Sequence, residues 1–257
     1  MIGAIVGDMV GSVYEFNNYK ATDFEPLFHP RSKFTDDTVC TIAVADGVLN
    51  KKSAADALRE WGHRYWSNGG WGQRFAHWLA ADNPQPYGSF GNGSAMRISS
   101  VAWLATSYEH AMELSDEFTG VTHDHPEGIK AARATVSAIW WARDGRSAID
   151  IRKALETEFG YDMSRDTDYI RPHYGHTEAA QWSVPEALIC ALEGDSFEEV
   201  IRLAISIGGD SDTIAAIAGS VAEARFGIPG HIQDEAIAKL PEDMQQVVEK
   251  YLKTLRG

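Results

Sequence analysis

Two short stretches carry more carboxylate than their local structure needs. Between Ile207 and Ser220 the chain reads I-G-G-D-S-D-T-I-A-A-I-A-G-S, and between Phe34 and Ala45 it reads F-T-D-D-T-V-C-T-I-A-V-A. Ile214, Ile217, Ala218, Val221 and Ala222 follow the spacing of one helical face, as do Val39, Ile42 and Ala43, so each stretch predicts a buried helix. One starts near Asp212, the other after Thr35, Asp36 and Asp37. A single Asp or Thr suffices to cap a helix. Asp210 and Asp212, with Thr213 beside them and Gly208 and Gly209 turning the chain in, exceed that need. If the two ends met, four carboxylates would repel at about 4 kcal/mol per pair, for roughly 4 Å separation and an effective dielectric near 20. A cation removes that repulsion. Carboxylate and hydroxyl oxygens are hard ligands, so the expected ion is Mg²⁺, with Mn²⁺ able to substitute, and four carboxylates could hold two.

A third stretch lies between them, G-N-G-S-A-M-R at Gly91 to Arg97. The long loop from Ala81 to Ala95 is too rich in Gly, Pro, Asn and Ser to continue a helix. Gly91, Asn92, Gly93, Ser94 and Ala95 would leave backbone N–H groups open to an anion, and Met96 would start a helix whose N-terminus favours phosphate.

F-T-D-D-T, G-N-G-S-A-M-R and G-G-D-S-D-T-I-A, in that order across nearly the whole chain, resemble the ADP-ribosylglycohydrolase family, the dinitrogenase reductase-activating type of ADP-ribosyl hydrolase. The resemblance implies an all-helical fold with a binuclear magnesium centre that cleaves the bond between ADP-ribose and an acceptor. By that likeness Thr35, Asp36, Asp37, Asp210, Asp212 and Thr213 are the metal ligands, and Gly91 to Met96 with His123 bind ADP-ribose. Glu15, in G-S-V-Y-E-F, matches an acidic residue on a mobile segment that contributes to catalysis; it is the candidate acid or base, and Asp36 is counted with it as catalytic. Two other readings use the same residues. A two-metal phosphohydrolase would act on a nucleotide and would need cationic clamps, of which Arg97 alone adjoins a motif. A non-catalytic ADP-ribose-binding protein could keep the fold without the reaction.

These residues need elements to position them. Gly3, Gly7 and Gly11 recur every fourth residue among Ile2, Ile5, Val6, Met9 and Val10, a stripe that costs roughly 1 kcal/mol per Gly in helix propensity and so predicts close helix packing as the offset. No G-x-G-x-x-G follows a strand, which argues against a phosphate loop there. Helices are expected over Ser53–Trp66, Gln73–Ala80, Ile98–Thr106, Glu109–Phe118, Glu127–Ala142, Ser147–Phe159, Val184–Leu192, Phe197–Ile207, Asp234–Ala238 and Glu242–Leu255. His125 reads as a helix-entry residue before Pro126 rather than half of a metal pair. Gly160 to Ser183 reads as an irregular surface loop, and with Ser67 to Gly72 it is a place where acceptor choice could reside.

Alternation of strand type is scarce and no linker divides the chain, so one all-α domain over 1–257 is expected, with the metal centre where helix N-termini converge. Of its 257 residues 44% are hydrophobic and 23% charged, an ordinary globular balance. A formal net charge of -14 is the wrong sign for general binding to nucleic acid or anionic membrane. Cys40 and Cys190 lie in apolar helical runs and read as buried thiols. The N-terminus lacks the basic region of a signal peptide, and no apolar stretch approaches a membrane span, so a soluble cytoplasmic protein is expected. The sequence leaves the oligomeric state and the acceptor open.

Overall fold

A computed structural model describes residues 1–256. The chain opens with a helix whose ten residues are all buried, α1 (Ile2–Gly11). A helix apolar on every side belongs in the centre of a core, and α1 lies along a second such helix from the far end of the chain, α13 (Ser211–Phe226), which is buried from Ser211 to Ala222. The glycine stripe is the seam between them. A Cβ on Gly3 or Gly7 would fall on the carbonyl oxygens of Gly219 or Ala215, and one on Gly11 would stand 2.5 Å from the Cα of Asp212. The backbones touch, and the contact area offsets the propensity cost.

Around this pair the chain is helical throughout. After α1 come α2 (Asp36–Asn50), α3 (Ala54–Arg64), α4 (Gln73–Ala80), the one-turn α5 (Gly93–Met96) and α6 (Val101–Leu104), then α7 (Tyr108–Gly120), α8 (Pro126–Arg143), α9 (Ala148–Phe159) and α10 (Thr167–His173). The second half supplies α11 (Ala180–Glu193), α12 (Phe197–Ser206), α13, α14 (Gly230–Ala238) and α15 (Glu242–Arg256). Helices α8, α11 and α12 pack around α13, while α2 bridges α1 to α3 and α15. Among the described residues there is no strand; an isolated antiparallel bridge joins Gly91 to Ala179. The fold is a single compact all-α domain, as expected, with Cys40 and Cys190 free and buried in it. No helix among the described residues is long and apolar enough to cross a membrane.

Three local expectations are corrected. The helix after the glycine loop begins at Gly93, so Met96 ends it rather than starting it. The helix expected over Ile98–Thr106 shrinks to Val101–Leu104, with Ser99 and Ser100 at its start buried. The stretch from Gly160 to Ser183 contains α10, capped by Asp166, whose carboxylate accepts from Tyr169 N at 2.8 Å, and the first turn of α11. Only Thr167 and Ile170 of α10 are buried, too few to show a helical period. His125 does enter α8, accepting from Glu127 N with Pro126 in the first turn.

Candidate active site

The α2 terminus is built from three elements. Thr35, in extended conformation, accepts from Asp37 N at 3.2 Å and so caps its own helix. Asp8, fully buried on α1, reaches across: its carboxylate accepts from Thr35 N at 2.9 Å, Thr35 Oγ1 at 2.7 Å, Thr38 N at 3.1 Å and Thr38 Oγ1. Asp8 is not among the residues that the sequence singled out. A charged residue directly after Gly7, inside a tightly packed glycine-stripe helix, was the available signal, since an unpaired buried charge is too costly to keep. Burial raises the Asp8 carboxyl above its ordinary value, and the bonds from Thr35 and Thr38 oppose that rise.

The α13 terminus is organised differently. Gly208 and Gly209 adopt φ of 71° and 76°, a region closed to most side chains, and swing the chain into the helix. Asn18 Oδ1 accepts from Gly209 N at 3.2 Å, and Lys20 Nζ donates to the carbonyls of Ile207 and Tyr174, so the segment that follows Glu15 is tied to this turn. Asp210 makes no side-chain bond to its own helix; its Oδ2 accepts instead from Asn92 Nδ2 at 2.7 Å. Thr213 Oγ1 donates to Asp37 Oδ2 at 2.9 Å, joining the two helix ends directly.

The ends therefore meet at the wall of a cavity of about 290 Å³. Glu15, Asp36, Asp37, Asp210, Asp212 and Thr213 line one part of it; Gly91, Asn92, Gly93, Met96 and His123 line another, with Arg74 and Arg97. Three predicted residues do not line it. Thr35 is turned toward Asp8, and Ser94 and Ala95 face the core from α5, with the Ser94 hydroxyl donating to Gly91 O at 3.1 Å. The glycine loop is not an open row of amides either. Asn92 N donates to Glu178 O at 2.8 Å, Ala95 N and Met96 N to Asn92 O, and Ser94 N to Gly91 O, because the loop is pinned to the segment before α11 and coils at once into α5. What its glycines leave is space beside His123.

A divalent cation fits the acidic part on two grounds. Single carboxylate oxygens of Glu15, Asp210 and Asp212 lie within 4.8 Å of one another, a spacing that oxygens sharing one hard cation can take up. The second ground is electrostatic. Asp36, Asp37 and Asp212 are raised well above ordinary carboxylate values, first by burial and then by neighbouring carboxylates. Glu15 is raised first by burial and then by Asp210, with a hydrogen bond to Asp212 acting against the rise. Such a cluster lacks positive charge. The tight triad is Glu15 with Asp210 and Asp212, where the sequence suggested the four aspartates. Packing of Gly11 on Asp212 carries the chain after α1, and Glu15 with it, to the α13 terminus.

His123 is pushed well below the ordinary histidine value by burial first, then by Arg97 and Arg74, and so is neutral at physiological pH.

The whole chain, residues 1–257, matches the ADP-ribosylglycohydrolase family. It is similar to the ADP-ribosylhydrolase ARH3 of Bos taurus, 25% identical over 99% of this chain and 88% of that protein. It is also similar to the ADP-ribosylarginine hydrolase Tri1 of Pseudomonas putida (strain GB-1), 24% identical over 90% of this chain and 70% of that one. A solved structure titled ADP-ribosylglycohydrolase-related protein complex shares the fold, with a TM-score of 0.75 at 21% identity, over 99% of this chain and 97% of that one. The chain thus belongs to the ADP-ribosylglycohydrolase family, an enzyme family of ADP-ribosyl hydrolases.

Proposed function

We propose that this protein is a magnesium-dependent hydrolase of the glycosidic bond that joins ADP-ribose to an acceptor, with Mn²⁺ able to replace Mg²⁺. The observation that carries the reading is the meeting of two acidic helix ends and Glu15 in one cavity with the Gly91–Met96 loop and His123. Asp36, Asp37, Asp210 and Asp212, with Thr213, would hold two ions; Thr35 would support them from behind through Asp8. When bound, the ions supply Lewis-acid chemistry at the ribose and at a water.

The residues of the chain do the rest. ADP-ribose lies along Gly91, Asn92, Gly93 and Met96, its charged diphosphate at the end of the cavity carrying His123, Arg74 and Arg97 and its distal ribose at the carboxylates. Ser94 and Ala95 shape that loop from its buried side. Cleavage breaks the bond from C1 of the distal ribose to the acceptor's nitrogen or oxygen through a transition state resembling an oxocarbenium ion. Water gives its hydroxyl to C1 and its proton, in net, to the departing atom. Glu15, half-buried and raised above ordinary carboxylate values, is suited to carry that proton. The homologues' names speak of ADP-ribosylated substrates, and the arginine linkage named for Tri1 is one candidate among several. Two free, buried cysteines and an acidic surface suit a reducing cytoplasm.

Arg74 favours one rival, since a nucleotide phosphohydrolase would use such a cation as a clamp. Incubation with ADP-ribosylated protein and Mg²⁺, followed by chromatography of the nucleotide products, separates the readings. Free ADP-ribose is expected. AMP would establish the phosphohydrolase, and binding of ADP-ribose without any product would leave a non-catalytic receptor.

A further inference from the structure

His123 stands at the end of a buried line of hydrogen bonds. Arg97, only 1% exposed, directs Nη2 to the carbonyl oxygen of Phe118 at 3.1 Å and to Thr122 Oγ1 at 2.6 Å. Thr122 Oγ1 lies 2.8 Å from His123 Nδ1 and 3.5 Å from Thr119 O. A guanidinium has donors only, so Thr122 accepts from Arg97 and has one proton of its own to place. At 3.5 Å the Thr119 carbonyl is at the edge of a hydrogen bond, whereas 2.8 Å is the ordinary O–H···N range. The proton therefore goes to Nδ1, which must be the bare nitrogen of a neutral ring. Nε2 then carries the ring's hydrogen.

That nitrogen faces the cavity. Nε2 would lie 3.2 Å from a Cβ placed on Gly93 and 3.6 Å from one on Gly91, so the space in front of it is the space those glycines leave. We infer that Arg97 and Thr122 are positioning residues that fix His123 as its Nε2–H tautomer and aim this donor into the glycine loop, at an acceptor oxygen of the substrate. The inference rests on the reading that ADP-ribose occupies this cavity. It gives Arg97 a role other than a phosphate clamp: its Nη2 is spent on Phe118 and Thr122. The alternative tautomer would turn a lone pair toward a phosphate oxygen, which has no proton to give, and repel it. The doubly protonated ring is opposed by burial and by the neighbouring arginines.

The test has a spectroscopic arm and a binding arm, both on the full chain. In two-bond ¹H–¹⁵N correlation spectra of protein labelled at histidine nitrogen, assigned with His123→Gln, Nε2 of His123 should show the protonated-nitrogen shift and Nδ1 the bare one at pH 7. The reverse pattern overturns the inference, whether or not the protein hydrolyses anything. Thr122→Val removes the hydroxyl at nearly constant volume and should mix the tautomers and raise the Kd for ADP-ribose by about 10-fold, the scale of one buried hydrogen bond. Mg²⁺ affinity should be unchanged, and Thr122→Ser should restore both spectrum and affinity. A Thr122→Val protein that keeps the wild-type spectrum and affinity overturns it. If the tautomer is as stated and the wild type ignores ADP-ribose, the assignment of His123 stands and the substrate reading falls.

Discussion

At the start of α2, Thr35 caps its own helix and a buried aspartate from another helix completes the cap; at the start of α13, Asp210 leaves its helix uncapped and turns to Asn92. The sequences of the two ends are alike, and both turn aspartates to the cavity, yet the capping residue of α2 is spent on structure and that of α13 on the cavity. The difference lies in what each meets. Asp8 arrives at α2 with an acceptor for each of four donors, so the Thr35 and Thr38 donors there are satisfied before any ligand binds. The α13 end meets Glu15 and Asn92, and its own aspartates, with Glu15, form the triad that lacks positive charge. Substitutions on the α13 side should therefore act on cation binding and rate, and those behind the α2 side on stability.

The largest effect expected from this contrast is at Glu15. Glu15→Gln should lower turnover by about 10²- to 10⁴-fold, the usual worth of a positioned proton carrier, with a melting temperature close to wild type. Because Glu15 shares the triad, some loss of Mg²⁺ affinity should accompany it. Steady-state rates beside thermal melts decide the matter, and normal turnover would remove Glu15 from the mechanism. Asp8→Asn is the converse experiment. The amide offers one acceptor oxygen where four donors converge, so the variant should lose about 2 kcal/mol in denaturant unfolding. Unchanged stability would mean that the bonds from Thr35 and Thr38 are dispensable.

A smaller effect, in pH dependence, tests without mutation what the two ends share. Asp36, Asp37, Asp212 and Glu15 are raised by burial and by other carboxylates, so the folded, metal-free protein binds their protons more tightly than the unfolded chain does. That contribution is complete below the unfolded value near pH 4 and is lost as pH rises through the elevated folded values. In chelator, the melting temperature should fall as pH rises above the ordinary carboxylate range. Saturating Mg²⁺ binds the ionised forms and should flatten or reverse the trend. Identical slopes with and without Mg²⁺ would contradict a cation at the carboxylates.

Much of this arrangement was legible because it is local. The two acidic helix starts, the glycine stripe and the His125 entry to α8 each declare themselves within a dozen residues, and helical periodicity is clear wherever a face is buried. What escaped depends on contacts across the chain. Asp8 acquires its meaning only when α1 is laid beside α2, 27 and 30 residues further on. Glu15 joins Asp210 and Asp212 through the packing of Gly11 on α13, which no spacing in the sequence reveals. The glycine loop was misjudged for a related reason: its composition suggests free amides, but the carbonyl of Glu178 and the turn of α5 claim them. Helix α10 was missed because it buries only Thr167 and Ile170 and carries Pro172 inside it.

The proposed centre requires that the carboxylates at the two helix ends hold divalent cations. Calorimetric titration of Mg²⁺ into metal-free protein at neutral pH, wild type beside Asp212→Asn, tests it most directly. Wild type should bind two ions per chain, and the variant should lose affinity beyond the roughly 10- to 100-fold that outer partners of a metal cost. A wild type that takes up no Mg²⁺, or an Asp212→Asn protein that binds it as tightly as wild type, would contradict the account.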